Sequence, residues 1–234
     1  STAGEKDVTW KSLEARIPKQ HRDYTKNLLD RYGIELQTTN VADNQPQPFD
    51  ARRAMEVLEV SFSHPIRLIA NALGVPPKEM LAMGKKHDVP VAALVGAKEH
   101  AVRQVAAGVD ILVAQGTEAG GHCGEVSTMV VVPEGIKAVK GIRDVPVLAA
   151  RRIMTGRPMA PAMAMGAPGA WTGSVWLATV ESETTEIFRE KMIAASSRDA
   201  VRSRGRTGKP ARQLRSVWTD AWDRAPESPG ALPM

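Results

Sequence analysis

The residues best suited to chemistry lie in one stretch, Gln115-Gly-Thr-Glu-Ala-Gly-Gly-His122, directly after the apolar run Asp110-Ile-Leu-Val-Ala-Gln115. In parallel α/β folds ligands gather at the C-terminal ends of strands, so a loop leaving a buried strand is placed for binding. Gly116, Gly120, Gly121 and Gly124 let backbone approach a flat ligand and aim N–H groups at anionic oxygens. His122 brings an imidazole, the side-chain type that exchanges protons near neutral pH and serves as a general acid or base. The plainer alternative is a glycine-rich turn whose histidine bonds a carbonyl. The position after a strand, with Gln115 at its end and Glu118 nearby, favours the functional reading.

A second signal is a pair of strand ends, Ala149-Ala150-Arg151-Arg152 and Trp171-Thr172-Gly173-Ser174. Barrels bind phosphate at the corresponding place through backbone N–H groups and the start of a short helix. Two hydroxyls and a permissive backbone suit that task. A strand-to-helix turn with a Ser or Thr cap would carry the same residues.

Other candidates are weaker. His64, in Ser61-Phe62-Ser63-His64-Pro65, follows an expected strand and reads as a second substrate-side residue or a structural turn. His21, His87 and His100 sit in polar helical surroundings and are expected at the surface. No pair of them has metal-ligand spacing with a carboxylate, so no metal is expected. Cys123 adjoins His122, but neighbours on an extended loop point apart, which disfavours a Cys-His nucleophile. Trp218 and Trp222 share one face of an expected terminal helix.

The elements that must position these residues follow from periodicity. Residues 10–32 have near-helical apolar spacing interrupted by Pro18 and stopped by Gly33, which reads as two short helices. The Pro-rich polar stretch 40–50 reads as a loop. From residue 51 short apolar runs alternate with Ala-rich amphipathic stretches, the grammar of βα units around a parallel sheet. Strands are expected at Val57–Phe62, Val91–Val95, Asp110–Gln115, Pro146–Ala150 and Gly169–Gly173. Helices are expected over 65–73, 77–86, 97–107, 133–140 and 157–165, with another after Glu181. AAGVDILVAQ, IRDVPVLAA and AMGAPGAWTG repeat one phrase, a helix end running into a strand, in which Gly suits a helix C-cap. A (β/α)8 barrel has eight strands, more than are legible here.

Bulk properties narrow the classes. The chain has 234 residues, 43% hydrophobic and 24% charged, enough for one sizeable core, with sparse aromatics at 4% that point to an aliphatic one. A net charge of +5 resides largely in 198–215, where Arg202, Arg204, Arg206, Lys209 and Arg212 lie among Gly and Pro. Without interleaved aromatics or a reading motif, this suits a solvated tail or arm, not a nucleic-acid surface. A single cysteine excludes a disulfide framework, and no apolar run approaches a membrane span, which together suggest a soluble cytoplasmic protein.

VAQGTEAGGHCG, PVLAARRIMTG, GAWTGS and ATVESETTEIFREKM, in that order, resemble the nitronate monooxygenase family, formerly the 2-nitropropane dioxygenases. The resemblance covers roughly residues 55–215. It implies an α/β fold, a TIM (β/α)8-type barrel whose N-terminal strands have no counterpart in this chain, holding FMN non-covalently. Residues 1–50 would be a helical insertion and loop, 51–197 the barrel units with the flavin site, and 198–234 a basic arm with a terminal helix. It further implies flavin contacts from Gln115, Gly120 and Gly121 and a phosphate turn of Trp171, Thr172, Gly173 and Ser174. Arg152 stands where the family has glycine, and its guanidinium offers a phosphate partner. His122 matches the family's active-site histidine, a base for the proton alpha to a nitro group. The implied partners are a nitronate or similar small molecule and dioxygen; a homo-oligomer is allowed. The alternatives are a flavin-dependent reductase of enoyl thioesters, driven by a nicotinamide, and an inactive flavin- or phosphate-binding barrel fragment.

Overall fold

The structure, a computed structural model, describes residues 14–35, 51–150, 153 and 155–230. The chain divides into two compact units. The first comprises residues 1–60, 203–209 and 216–234; the second comprises 61–202 and 210–215.

The second unit is built on five parallel strands: β1 (Ile69–Asn71), β2 (Val91–Val95), β3 (Ile111–Gln115), β5 (Val147–Ala150) and β6 (Ala170–Trp171). Helices α3 (Lys78–His87), α4 (Lys98–Ala107), α5 (Thr128–Val139) and α6 (Gly156–Ala164) connect them. The strands lie side by side in chain order, β1-β2-β3-β5-β6. Such single winding is that of a (β/α)8 barrel; a doubly wound sheet reverses direction partway. The fold is therefore α/β of the TIM-barrel type, as the family resemblance implies.

Alternation along the strands makes two faces. Ala93, Val95, Leu112, Ala114, Val147 and Ala149 pack with Ala101 and Val105 of α4 and Val131, Val132 and Val139 of α5 into the main core. On the other face Ala92, Val113 and Ala150 are buried, with Leu68, Leu94, Ile111 and Trp171 partly buried around them. Gly108 and Gly166 adopt φ of 103° and 97° just after α4 and α6, the left-handed conformation that ends a helix and turns the chain into the next strand. Among the described residues no helix is long and apolar enough to cross a membrane.

Two expected elements are corrected. Val57–Phe62 is not a strand but the end of helix α2 (Ala51–Phe62). Leu58 and Phe62, four apart, are buried while Val57 and Val60 are 59% and 60% exposed; the period is helical, and β-branched content misleads. Residues 65–73 hold no helix: β1 lies there, pairing Ile69, Ala70 and Asn71 with Val91, Ala92 and Ala93. His64 consequently follows a helix and precedes β1, so it does not sit at a strand's C-terminal end. The expected helix over 133–140 begins earlier, at Thr128, with Pro133 inside it. The helix after Glu181 is α7 (Glu186–Ala194).

In the first unit, helix α1 (Lys19–Arg31) begins after Pro18, and Gly33 follows its end at φ 64°. Its partner is the terminal helix α8 (Val217–Arg224), capped by Ser216. Trp222 is 4% exposed and meets Tyr24 edge-on at 5.2 Å and Trp218 at 5.7 Å. His21, expected at the surface, is buried and stacks on Trp222 at 5.9 Å, because α1 turns it toward the aromatic cluster. Tyr24 Oη donates to Ala221 O at 2.7 Å, and burial followed by Glu227 pushes its phenol above the usual range. The loop 40–50 lies outside the described residues.

Candidate functional site

Strand register aligns the C-terminal ends that the sequence singles out. Gln115 pairs with Ala150, and Ala150 with Trp171, so the three form a row across β3, β5 and β6. Gln115 and Trp171 thus stand two strands, about 10 Å, apart. The loop after β3 and the turn after β6 then meet: a Cβ on Gly120 would lie 2.3 Å from Ser174 Oγ. Gly120 thus lies close against the Ser174 hydroxyl. At Gly121 and Gly173 nothing lies within 4 Å of where a side chain would project, so both border open space.

The loop is anchored at its base. A Cβ on Gly116 would fall 2.2 Å from Thr128 N, so only glycine allows α5 to start against the end of β3. Glu118 occupies that start, its Oε2 accepting from Thr128 N at 3.0 Å and Thr128 Oγ1 at 2.9 Å. A carboxylate there satisfies an otherwise open helix N–H and complements the helix dipole. Glu118 is thus a cap. Glu118→Ala is expected to cost about 1–2 kcal/mol in urea unfolding, and Glu118→Gln, which keeps an acceptor oxygen, distinctly less.

His122 lies at the far end of the loop, in the two-residue strand β4 (Gly121–His122), with its side chain exposed. The Gln115 side-chain amide donates to His122 O at 3.1 Å, tying the loop back to β3. Its outer edge pairs with β8 (Ala211–Leu214), which pairs with β7 (Ala200–Ser203). Cys123 N donates to Pro210 O at 3.2 Å, and Cys123 Sγ lies 3.9 Å from the same carbonyl.

The expectation of a solvated basic tail or arm is thereby corrected in part. Two short strands, Ala200–Ser203 and Ala211–Leu214, lie in the 198–215 stretch, and two of its arginines, Arg202 and Arg212, bond backbone, while Arg206 and Lys209 are exposed. Arg212 Nε donates to Thr117 O at 3.0 Å and Nη1 to Ala200 O at 3.2 Å. Arg202 Nη2 donates to Gly124 O at 3.3 Å and lies 3.8 Å from Glu125. At the foot of β7 the Ser196 hydroxyl and backbone N–H both donate to Asp199, holding its carboxyl below the usual range. Arg212 and Arg202 were missed as site neighbours because charge density alone suggests solvent.

In the turn after β6, Trp176 Nε1 donates to Thr172 Oγ1 at 2.9 Å, and a short 3₁₀ helix starts at Ser174. The Thr172 hydroxyl is used there as an acceptor, leaving its proton to donate elsewhere. Arg151 and Arg152 lie outside the described residues.

The arrangement thus combines a histidine beyond a strand's C-terminal end, a glycine-lined opening and a hydroxyl-bearing turn two strands away. Known proteins resemble the chain over most of its length. The family model described as nitronate monooxygenase matches residues 11–234. A protein of Mycobacterium tuberculosis, given provisionally as a monooxygenase, is 52% identical over 220 residues, 93% of this chain and 58% of the relative. The (3aS,4S,5R,7aS)-5-hydroxy-7a-methyl-1-oxo-octahydro-1H-indene-4-carboxyl-CoA dehydrogenase of Rhodococcus jostii is 32% identical, over 88% of this chain and 53% of its own length. The solved nitroalkane oxidase of Streptomyces ansochromogenes superposes with a TM-score of 0.71 at 26% identity, over 90% of this chain and 60% of that one. The chain spans somewhat more than half the length of these curated relatives. It belongs to the nitronate monooxygenase family, a family of oxidoreductase enzymes.

Proposed function

We propose that this chain carries the flavin site of an FMN-dependent oxidoreductase that oxidises a nitronate or nitroalkane with dioxygen, acting as a soluble cytoplasmic enzyme. The observation that carries the reading is the placement of His122 beyond the end of β3, with the Gly120 backbone packed on Ser174 of the neighbouring turn.

The residues present fit the cofactor. Open space beside Gly121 and Gly173 leaves room for a flat ring system and its phosphate-bearing chain. Gln115, Gly120, Gly121 and the half-buried Trp171 would border the ring, while Thr172, Gly173 and Ser174, with Arg152, would take the phosphate. FMN would supply the electron chemistry, passing electrons from substrate to dioxygen. His122 would accept the proton alpha to the nitro group, converting a neutral nitroalkane to its nitronate anion. Gln115 would hold the backbone that presents His122 to the substrate.

A second reading, reduction of an enoyl thioester, is favoured by one observation: the Rhodococcus relative is named for a carboxyl-CoA compound. Two assays on the FMN-loaded protein separate them. Oxygen uptake on adding a nitroalkane is expected. NAD(P)H oxidation that depends on an enoyl thioester, without oxygen uptake, would replace the first reading by the second; neither signal would leave a binding-only barrel unit.

A further inference from the structure

His122 terminates a loop that carries Gly116, Gly120 and Gly121 before it and Gly124 after it. Glycine loses more conformational freedom on ordering than any other residue, so such a loop keeps one geometry only if other groups hold it. The holding groups come from a distant part of the chain. Ala211 and Arg212 pair with His122 and Gly121, Pro210 O accepts from Cys123 N, and the Arg212 guanidinium reaches back to Thr117 O. The same guanidinium also bonds Ala200 O on β7. One side chain therefore joins the first turn of the loop to the outermost strand of the sheet that carries His122.

We infer that Arg212 is a positioning residue for His122. The guanidinium is suited to this because its donors diverge in a fixed plane and can hold two carbonyls at once; a lysine ammonium is a single point that cannot span both. Clamped at Thr117 by the guanidinium, at Gly121 to Cys123 by β8 and Pro210, and at His122 O by Gln115, the loop presents the imidazole in one place. Misplacement of a proton-transferring group by about 1 Å can cost on the order of a hundredfold in rate. The inference rests on the reading of His122 as that group.

The test uses Arg212→Met and Arg212→Lys in the full chain loaded with FMN, with Arg206→Met, an exposed arginine of the same basic stretch, as control. Arg212→Met is expected to raise amide hydrogen exchange across Thr117–Cys123 by about tenfold or more, with β2 and β5 unchanged. Nitroalkane kcat should fall about tenfold or more with KM within about twofold, Arg212→Lys should fall between, and Arg206→Met should match the parent. Unchanged exchange in the loop, a rise shared equally by the whole sheet, or, where His122→Ala is impaired, a loosened loop with unchanged kcat would each overturn the proposal. His122→Ala separates the two ideas. If it turns over nitroalkane at the parental rate while Arg212→Met still loosens the loop, the clamp stands and the catalytic reading of His122 falls.

Discussion

His122→Ala is expected to lower turnover of a neutral nitroalkane by about 10²–10⁴-fold, the usual worth of a positioned general base. The same variant should oxidise a nitronate prepared beforehand at a rate much closer to the parent. The proton that His122 would remove is already gone in that substrate, so only orientation is lost. Stability should change by no more than about 0.5 kcal/mol. The imidazole is exposed, and β4 is held through backbone by Ala211 and Gln115. Oxygen uptake with the two substrates, beside a urea titration, checks all three statements. Equal losses on nitroalkane and nitronate would assign His122 to substrate binding instead of proton removal.

Gly116→Ala is expected to be the most damaging small substitution in the loop. The added carbon would lie 2.2 Å from Thr128 N, 2.5 Å from Thr128 Oγ1 and 2.7 Å from Ser127 C. Two of these are backbone atoms at the start of α5, whose Val131 and Val132 are fully buried against the sheet. The helix cannot retreat without opening the core, so a cost of about 3 kcal/mol or more is expected, at or above the usual range for overpacking. That is a large share of the roughly 5–15 kcal/mol by which a domain is stable. Shifting Thr128 also breaks both bonds that it donates to Glu118, so flavin affinity should fall along with stability. Gly135→Ala is the matched control within α5. Beyond its own helix backbone no atom lies within 4 Å of its added carbon, and an alanine in a helix interior should gain about 0.5–1 kcal/mol. Equilibrium unfolding of the two variants, expected to move in opposite directions, tests the account.

Helix ends and buried parallel strands were legible because their signals are local. Val91–Val95, the strand ending at Gln115 and the strand ending at Ala150 are short apolar runs. Gly108 and Gly166 mark the turns that precede β3 and β6. Where two local signals conflicted, the reading failed. Val57 and Val60 lie in a segment whose buried residues Leu58 and Phe62 follow a helical period, and period outweighs the β-propensity of valine. The start of α5 was missed for a different reason. Its cap is Glu118, ten residues upstream on the other side of a loop, whereas Pro133 resembles a first-turn proline.

The sequence by itself determined the βα alternation, and it pointed to the loop from Gln115 to His122 as a candidate place for chemistry and to the turn from Trp171 to Ser174 as its candidate companion. These follow from strand ends, glycines and hydroxyls, whose meaning depends on near neighbours. Only the tertiary structure decided that the companion turn touches the loop, through Gly120 and Ser174, and that the basic stretch is the outer wall of the His122 strand. Arg212 and Thr117 are 95 residues apart. No spacing rule connects them, because strand pairing depends on which edges the folded backbone brings side by side. An arginine bonded to carbonyls and an arginine in water have the same sequence; the difference is a distance of 3.0 Å that only the fold creates.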